Sequence, residues 1–470
     1  MKKIKYILSI IGSLLFLSSC SDDFLNLAPI SSMSESTFYK TQSDYLNAVN
    51  GAYSTLYSIY APDNKVLAFT ELMSDNCTIY HVSNDEASVI QLRDYSVLSN
   101  NGAVSGSWNS YYNALFIVNT VLSKLPNSPF SAEAEKEYEA EMRFLRAIYY
   151  FDMVRFWGDV PLVLKPVTVS ESYSFGRTPA TDVYAQIVTD LLFAEENLLS
   201  KTQLARIGQA SKCAAQGMLG KVYATMGDVE NAKTYLKKVI DSPDYSLLPS
   251  FYQIWSLSKK NSSESLFEIQ YKRGLGTGSR YWQAYLPAGK IAYGGGFNQV
   301  TDNLWNEFEA TDARRDSSIN QGYTDAGKWV AIKFPRKWTD TNAFAVQSTY
   351  YGDNNFIVLR LADIYLLYSE ITQDPTYLNL IRKRAGLAEW GNAGYPIATY
   401  PTLPLAIEHE RRVELALEYQ RWFDLKRTNR AIEVLTAAKG KVIKNTQLLL
   451  PIPQTAVDQN PDVLIQNEGY

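Results

Sequence analysis

The sequence predicts a mostly α-helical fold: about four helix pairs carrying two long irregular insertions. Three observations predict it. Apolar residues recur at three- and four-residue spacing over several long stretches. One of them, 216–244, has the small-residue pattern of a repeated helical hairpin. Between the periodic stretches lie 63–106, polar and rich in Ser and Asn, and 259–351, rich in Gly, Asn and aromatic residues. Connections of that length in a compact domain are usually functional.

In chain order, the first element is a leader. Lys2, Lys3 and Lys5 precede an apolar run over 6–17, which Leu17-Ser18-Ser19-Cys20 closes. A basic start, a short apolar core and small residues before a break read as a secretory signal peptide. The core is too short to span a bilayer, which takes about 20 residues. The Leu-Ser-Ser-Cys ending resembles a bacterial lipobox, which implies cleavage before Cys20 and acylation of that cysteine. Residues 1–19 are therefore expected to be a lipoprotein signal peptide and 20–470 a single domain.

Helices are expected next over 45–60 and 108–122. Tyr138, Met142, Leu145, Tyr149, Met153 and Phe156 mark one face of a long amphipathic helix that Gly158 and Pro161 end. Ile187, Leu191, Ala194 and Leu198 form the following stripe. In 216–244, Leu219-Gly220 is followed by Tyr223, Ala232, Leu236, Val239 and Pro243, close to the tetratricopeptide pattern. Small Gly220 lets two helices approach, Tyr223 fills the gap between them, and Gly227-Asp228 supplies the turn and the next cap. Short strands are expected at 266–271 and 329–334. Leu361, Ile364, Tyr365 and Tyr368 mark another helix. Residues 408–425 are expected to form one charged helix with Glu410, Glu414 and Glu418 on a single face. Its charges are expected to pair within the scaffold.

Composition narrows the function. An apolar content of 46% and a charged content of 20% describe an ordinary globular chain. A net charge of −4 argues against nucleic acid. Only His81 and His409 are available, too few for a His-based metal site or triad, and His409 is expected at the surface or in a salt bridge. No nucleophile elbow, P-loop, dinucleotide loop or EF-hand loop is present. No catalytic residue is assigned. With 49 acidic residues, a two-carboxylate glycosidase stays open as the least favoured reading. No cofactor is expected, although scattered Asp and Asn can build a calcium site without a readable motif. Whether Cys77 and Cys213 form a disulfide is left open.

Six segments in order carry a resemblance to a known family. They are LNLAP at 25–29, EMRFLRAIYYFDMVRFWGDVP at 141–161, NSSESLFEIQY at 261–271, RLADIYLLYSE with LNLIRKRAGL within 360–387, ERRVELALEYQRWFDLKR at 410–427, and the C-terminal 448–470. The chain resembles the SusD/RagB family of outer-membrane nutrient-binding lipoproteins of Bacteroidetes over essentially its whole length. Two features depart from it. The 370–377 connection is short, and Tyr419-Gln420 stands where Gly-His is common. The resemblance implies tetratricopeptide-like units with a ligand-binding region packed on them, and a lipid-anchored place at the cell exterior. Asp22 and Asp23 resemble the family's surface-export signal. It implies capture of a glycan, or in the RagB branch a peptide, for a SusC-like TonB-dependent transporter, without cleavage.

Sugars offer flat C–H faces and hydroxyl edges, so their sites need aromatic platforms beside polar side chains. The chain has 33 Tyr and 9 Trp, most of them expected in the core. Two segments outside the repeat helices combine aromatic and polar residues: 75–85 and 280–298. Family ligand contacts generally come from these regions. The candidate ligand-binding residues are Tyr80, His81, Asn84, Tyr281, Trp282, Tyr285, Lys290 and Tyr293. Trp282 with Tyr80 or Tyr285 is expected to stack on the ligand, with His81, Asn84 and Lys290 as polar contacts. Trp108, Trp305 and Trp422 are expected to be structural.

Overall fold

A computed structural model of the chain describes residues 38–62, 65–80, 87–274, 277–287, 295–325, 327–338 and 352–470. The leader and Cys20 lie outside them. The fold is mostly helical. Its scaffold is a row of helices packed in sequence order: Gln42–Ile59 on Gly102–Lys124, then Ala132–Trp157 on Ala180–Asn197, then Lys212–Met226 on Val229–Ile240, and finally Leu361–Thr372 against Thr376–Arg384 and Leu403–Glu414. Each pair also packs on the next.

Local chemistry starts and stops these helices. Thr41 and Asp44 form a reciprocal capping box at the first. Asn101, Ser131 and Ser211 accept hydrogen bonds from first-turn amides of the next helices. Trp157 ends the long helix where Gly158 takes a φ of +72°. Its expected stripe is buried, from Tyr138 to Phe156.

The 212–240 hairpin has the predicted construction. Gly227 caps the first helix in the left-handed region, and Asp228 accepts from the Asn231 amide to start the second. A Cβ on Gly220 would lie 2.5 Å from Leu236 Cδ2 and 3.2 Å from the Leu236 backbone nitrogen. Tyr223 stacks on Tyr235, with ring centroids 5.7 Å apart. Gly220→Ala is therefore expected to destabilise by about 1–3 kcal/mol through overpacking. A shift in the denaturant midpoint checks this, and an unchanged midpoint would contradict the close approach.

The second insertion leaves and re-enters the scaffold through one antiparallel pair, Ser265–Ile269 with Phe356–Arg360. The first strand matches expectation. The second expected strand is interrupted, with Lys328–Val330 pairing Tyr323–Asp325 and Phe334–Pro335 pairing Ile319–Asn320. In the first insertion the long helix already begins at Gly102, because Asn101 caps it there.

The charged run over 408–425 is not one helix. It forms Leu403–Glu414 and Arg421–Arg427, separated by a tight turn in which Leu417 and Tyr419 have φ of 69° and 64°. Left-handed backbone is costly for side-chain-bearing residues. Buried contacts hold it: the Trp338 indole donates to Leu417 O at 3.2 Å, and the Tyr419 amide donates to Glu71 Oε1 at 2.8 Å. Tyr419 occupies the position where glycine would adopt this φ without strain.

The expected charge pairing is a fully buried ionic cluster. Arg314 bonds Asp312, Glu410 and Glu414, while Arg360 bonds Glu264, Glu414 and Glu418. Arg384 joins Glu264 to Glu414, and Lys337 meets Glu418 at 2.6 Å. Burial alone would raise the Glu414 carboxyl, but Arg384, Arg360 and Arg314 hold it far below the ordinary carboxylate range. His409 is buried rather than at the surface. Its Nδ1 lies 2.8 Å from Glu307 Oε1 and its ring stacks on Tyr400. Trp108 and Trp422 are core, whereas Trp305 is half-buried. Cys77 and Cys213 are free, buried thiols.

Candidate ligand-binding site

The two insertions meet. Cys77–Thr78 from the first pairs antiparallel with Gln299–Val300 from the second. Thr301 Oγ1 donates to the carbonyls of Asp75 and Asn76, each at 3.0 Å, and Asn298 Nδ2 donates to Ala68 O. The junction is bolted to the charged scaffold. Arg421 grips both Asp75 oxygens at 2.9 and 3.0 Å, and Arg412 reaches Asp75, Asn76 and Glu307. Burial would raise Asp75, but Arg412 and Arg421 bring it down to about 2. Glu307 is likewise held at about 2: burial opposes, while His409 and Arg412 prevail. Glu71 beneath goes the other way, pushed up to about 7 by burial despite bonds from Asn76 and the Tyr419 amide. The base of the junction is thus buried and held by charged hydrogen bonds.

On its surface stands Tyr80, just beyond the first strand and 55% exposed. Partial burial and Asp302 raise its phenol, and Lys333 opposes. Lys333 and Asp302 pair at 2.6 Å. Beside them, Trp305 has Arg315 at 4.7 Å and Lys333 at 5.7 Å from its ring. An exposed phenol, a partly solvated ion pair and an indole therefore share one face. Such a face combines stacking surface with donors and acceptors, which suits a polyhydroxylated ligand. Lys333 and Asp302 were not singled out in the sequence, because their pairing joins the start of a short helix to a connection 31 positions further along the chain.

The second predicted segment divides. Tyr281 and Tyr285 do not face a ligand and are corrected to core residues. Tyr281 is wholly buried and donates to Tyr60 O at 2.5 Å, with its ring stacked on Phe356. Tyr285 is 1% exposed and bonds the Tyr419 hydroxyl. The reason is local: Tyr281–Tyr285 is a helical turn, so 281, 284 and 285 share the inward side. That spacing, with small Ala284 between the two rings, was the available signal.

Trp282 and Gln283 are half-buried on the remaining side of the turn. A Cβ on Gly352 would lie 3.3 Å from both Trp282 Cδ1 and Asn354 Oδ1. Among the described residues, Trp282 Nε1, Gln283 Oε1 and Asn354 Oδ1 each lack a hydrogen-bond partner. Tyr80 and Trp282 have different neighbours, so the described geometry does not make them one platform. His81, Asn84, Lys290 and Tyr293 lie outside the described residues. Among the described residues, no group of three or more His, Cys, Asp and Glu is placed to hold a metal ion. No described helix is long and apolar enough to cross a membrane.

The molecule is thus a helical-repeat protein whose two insertions are joined into one surface. Comparison with known proteins places it more closely. A family model described as "SusD family" matches residues 288–470, and one described as "Starch-binding associating with outer membrane" matches 23–224. SusD-like protein P2 of Formosa agariphila is 27% identical over 99% of this chain and all of its own length. Among solved structures, a laminarin binding SusD-like protein is 26% identical with a TM-score of 0.79, covering 92% of this chain and all of that one. Surface glycan-binding protein A from Bacteroides fluxus is 25% identical with a TM-score of 0.78 over the same shares. The chain belongs to the SusD family.

Proposed function

We propose that this protein is a cell-surface lipoprotein that binds glycans and delivers them to a SusC-like TonB-dependent outer-membrane transporter. The observation that carries the reading is full-length similarity, at 26% identity and a TM-score of 0.79, to a protein described as laminarin binding. The surface at the insertion junction supports it, because Tyr80, Trp305 and the Lys333–Asp302 pair offer the stacking and polar edges a sugar requires. Trp282 is retained as a contact, with His81, Asn84, Lys290 and Tyr293 as the further candidates. The protein binds without cleaving. The helix pairs present the extended surface that repeat scaffolds use for protein partners.

A binding panel tests the reading. Calorimetry of the purified chain against laminarin, other polysaccharides and peptides is expected to give saturable binding to a polysaccharide. Binding to peptides alone would replace the reading with peptide capture of the RagB type. Release of reducing ends from bound polysaccharide would replace it with hydrolysis.

Cys20 provides the anchor in this reading. One acyl chain holds a protein to a bilayer only marginally, and stable attachment takes a second hold. Cys20→Ala is expected to move the protein out of the washed membrane fraction while the purified domain keeps its ligand affinity. Retention in washed membranes would overturn the lipid anchor.

A further inference from the structure

Away from the insertion junction, the loop 206–209 projects between two hollows of about 190 and 220 Å³. Arg206, Ile207, Gly208, Gln209 and Glu268 line both. Gly208 sits at a φ of +85°, and a Cβ there would come within 2.4 Å of Gln270 Cγ. The loop is thereby pressed onto an amide cluster. Asn261 and Gln270 exchange hydrogen bonds at 2.8 Å in both directions, and Asn355 donates to Gln270 and Glu268.

Behind the loop is a buried polar apparatus. Arg206 donates to Asn50 Oδ1 at 3.0 Å and pairs with the wholly buried Glu141. Gln209 is 5% exposed, and its Nε2 donates to Glu137 at 2.7 Å. Only the nitrogen can donate to a carboxylate, so the amide orientation is set. Gln209 Oε1 is then left without a donor among the described residues, whereas the Glu141 carboxylate also has the Tyr53 hydroxyl as a partner. Unmatched buried acceptors are uncommon in folded proteins.

The chemistry of the walls selects a ligand class. Tyr53 and Tyr57 supply half-buried rings in the first hollow. Asn50 and Arg206 supply donors, and Gln209 Oε1 supplies an acceptor, while Glu268 and Gln270 are already occupied by amide donors. The charges are matched internally: Arg206 by Glu141, and Glu268 by amide donors. No excess charge remains to select an ion. Mixed donors and acceptors beside aromatic rings fit a neutral polyol. We infer that the paired hollows beside the 206–209 loop form a second saccharide-binding subsite, one that takes a neutral one- or two-sugar unit. The inference rests on the glycan-binding reading only for its ligand class, since it uses none of the residues at the insertion junction.

The test is titration of the full chain with glucose, galactose, mannose and xylose to about 50 mM, followed by saturation-transfer NMR, because small polar ligands bind in the millimolar range. At least one sugar is expected to saturate. Ser54→Phe, placed on an exposed helix position whose hydroxyl bonds only its own turn, is expected to fill the first hollow and weaken that binding tenfold or more. Asn50→Ala, also exposed, is the second variant and is expected to weaken it several-fold. Saturation by none of the four sugars overturns the inference. So does saturation that both variants leave unchanged, because the sugar would then sit elsewhere. Polysaccharide binding measured separately distinguishes failure of this subsite from failure of the glycan reading.

Discussion

Arg360→Ala is expected to cost about 3–5 kcal/mol of folding stability, the range for breaking a buried ion pair from one side. Arg360 is 1% exposed. It donates to Glu418 at 2.8 and 2.9 Å, to Glu414 Oε1 at 2.6 Å, to Glu414 O at 2.8 Å and to Glu264 at 3.1 Å. Removing the guanidinium leaves three carboxylates in a dry interior with one cation fewer. Arg384, Arg314 and Lys337 remain, but Arg384 already serves Glu264 and Glu414, Arg314 serves Glu414, and Lys337 serves Glu418. Arg360→Lys should recover only part of the loss, since one ammonium cannot reproduce the planar fork that meets three acids. Chemical denaturation of the purified variants measures this. A loss below about 1 kcal/mol would mean that solvent reaches the cluster, as it does for surface pairs.

Loss of ligand binding with the fold intact is the second large effect. Tyr80→Ala is expected to weaken glycan binding by tenfold or more, because an exposed ring that stacks on a sugar contributes about 1.5 kcal/mol or above. Trp282→Ala is expected to act in the same direction. Neither change removes a buried ring of the core, so the thermal midpoint should move little for Tyr80→Ala. Calorimetry with the polysaccharide identified in the binding panel measures both. Wild-type affinity in Tyr80→Ala would move the site away from the insertion junction. Tyr285→Ala offers the contrast: it removes a fully buried ring and the bond to Tyr419, so it should lower stability by about 3–5 kcal/mol.

These contrasts show where sequence reasoning succeeds. The hairpin at 212–240 was legible to the residue because its determinants are neighbours in the chain. Gly220 and Leu236, Gly227 and Asp228, and Tyr223 and Tyr235 all fall within one helical pair. The helix stripes were legible for the same reason, and so was the pairing of the charged run, but not that Asp75, Arg314 and Lys337 of the two insertions are among its partners. The break at 415–420 was not. Periodicity runs through it, and what bends the chain is remote: Trp338 on the Leu417 carbonyl and Glu71 on the Tyr419 amide. Tyr281 and Tyr285 were misassigned because an aromatic-rich loop composition looks alike whether its rings face solvent or core.

By itself the sequence determined the helical class, the order of the pairs, the two insertions and, through its ordered segments, the family. These depend on short-range spacing, which the backbone period of 3.6 residues converts directly into one apolar face. Only the tertiary structure decided that the insertions join through Cys77–Thr78 and Gln299–Val300, and that Arg360 unites Glu264, Glu414 and Glu418. Each of these is a contact between residues tens to hundreds of positions apart. Such contacts form because distant polar groups, once the apolar faces pack and exclude water, must find partners in whatever the fold brings near.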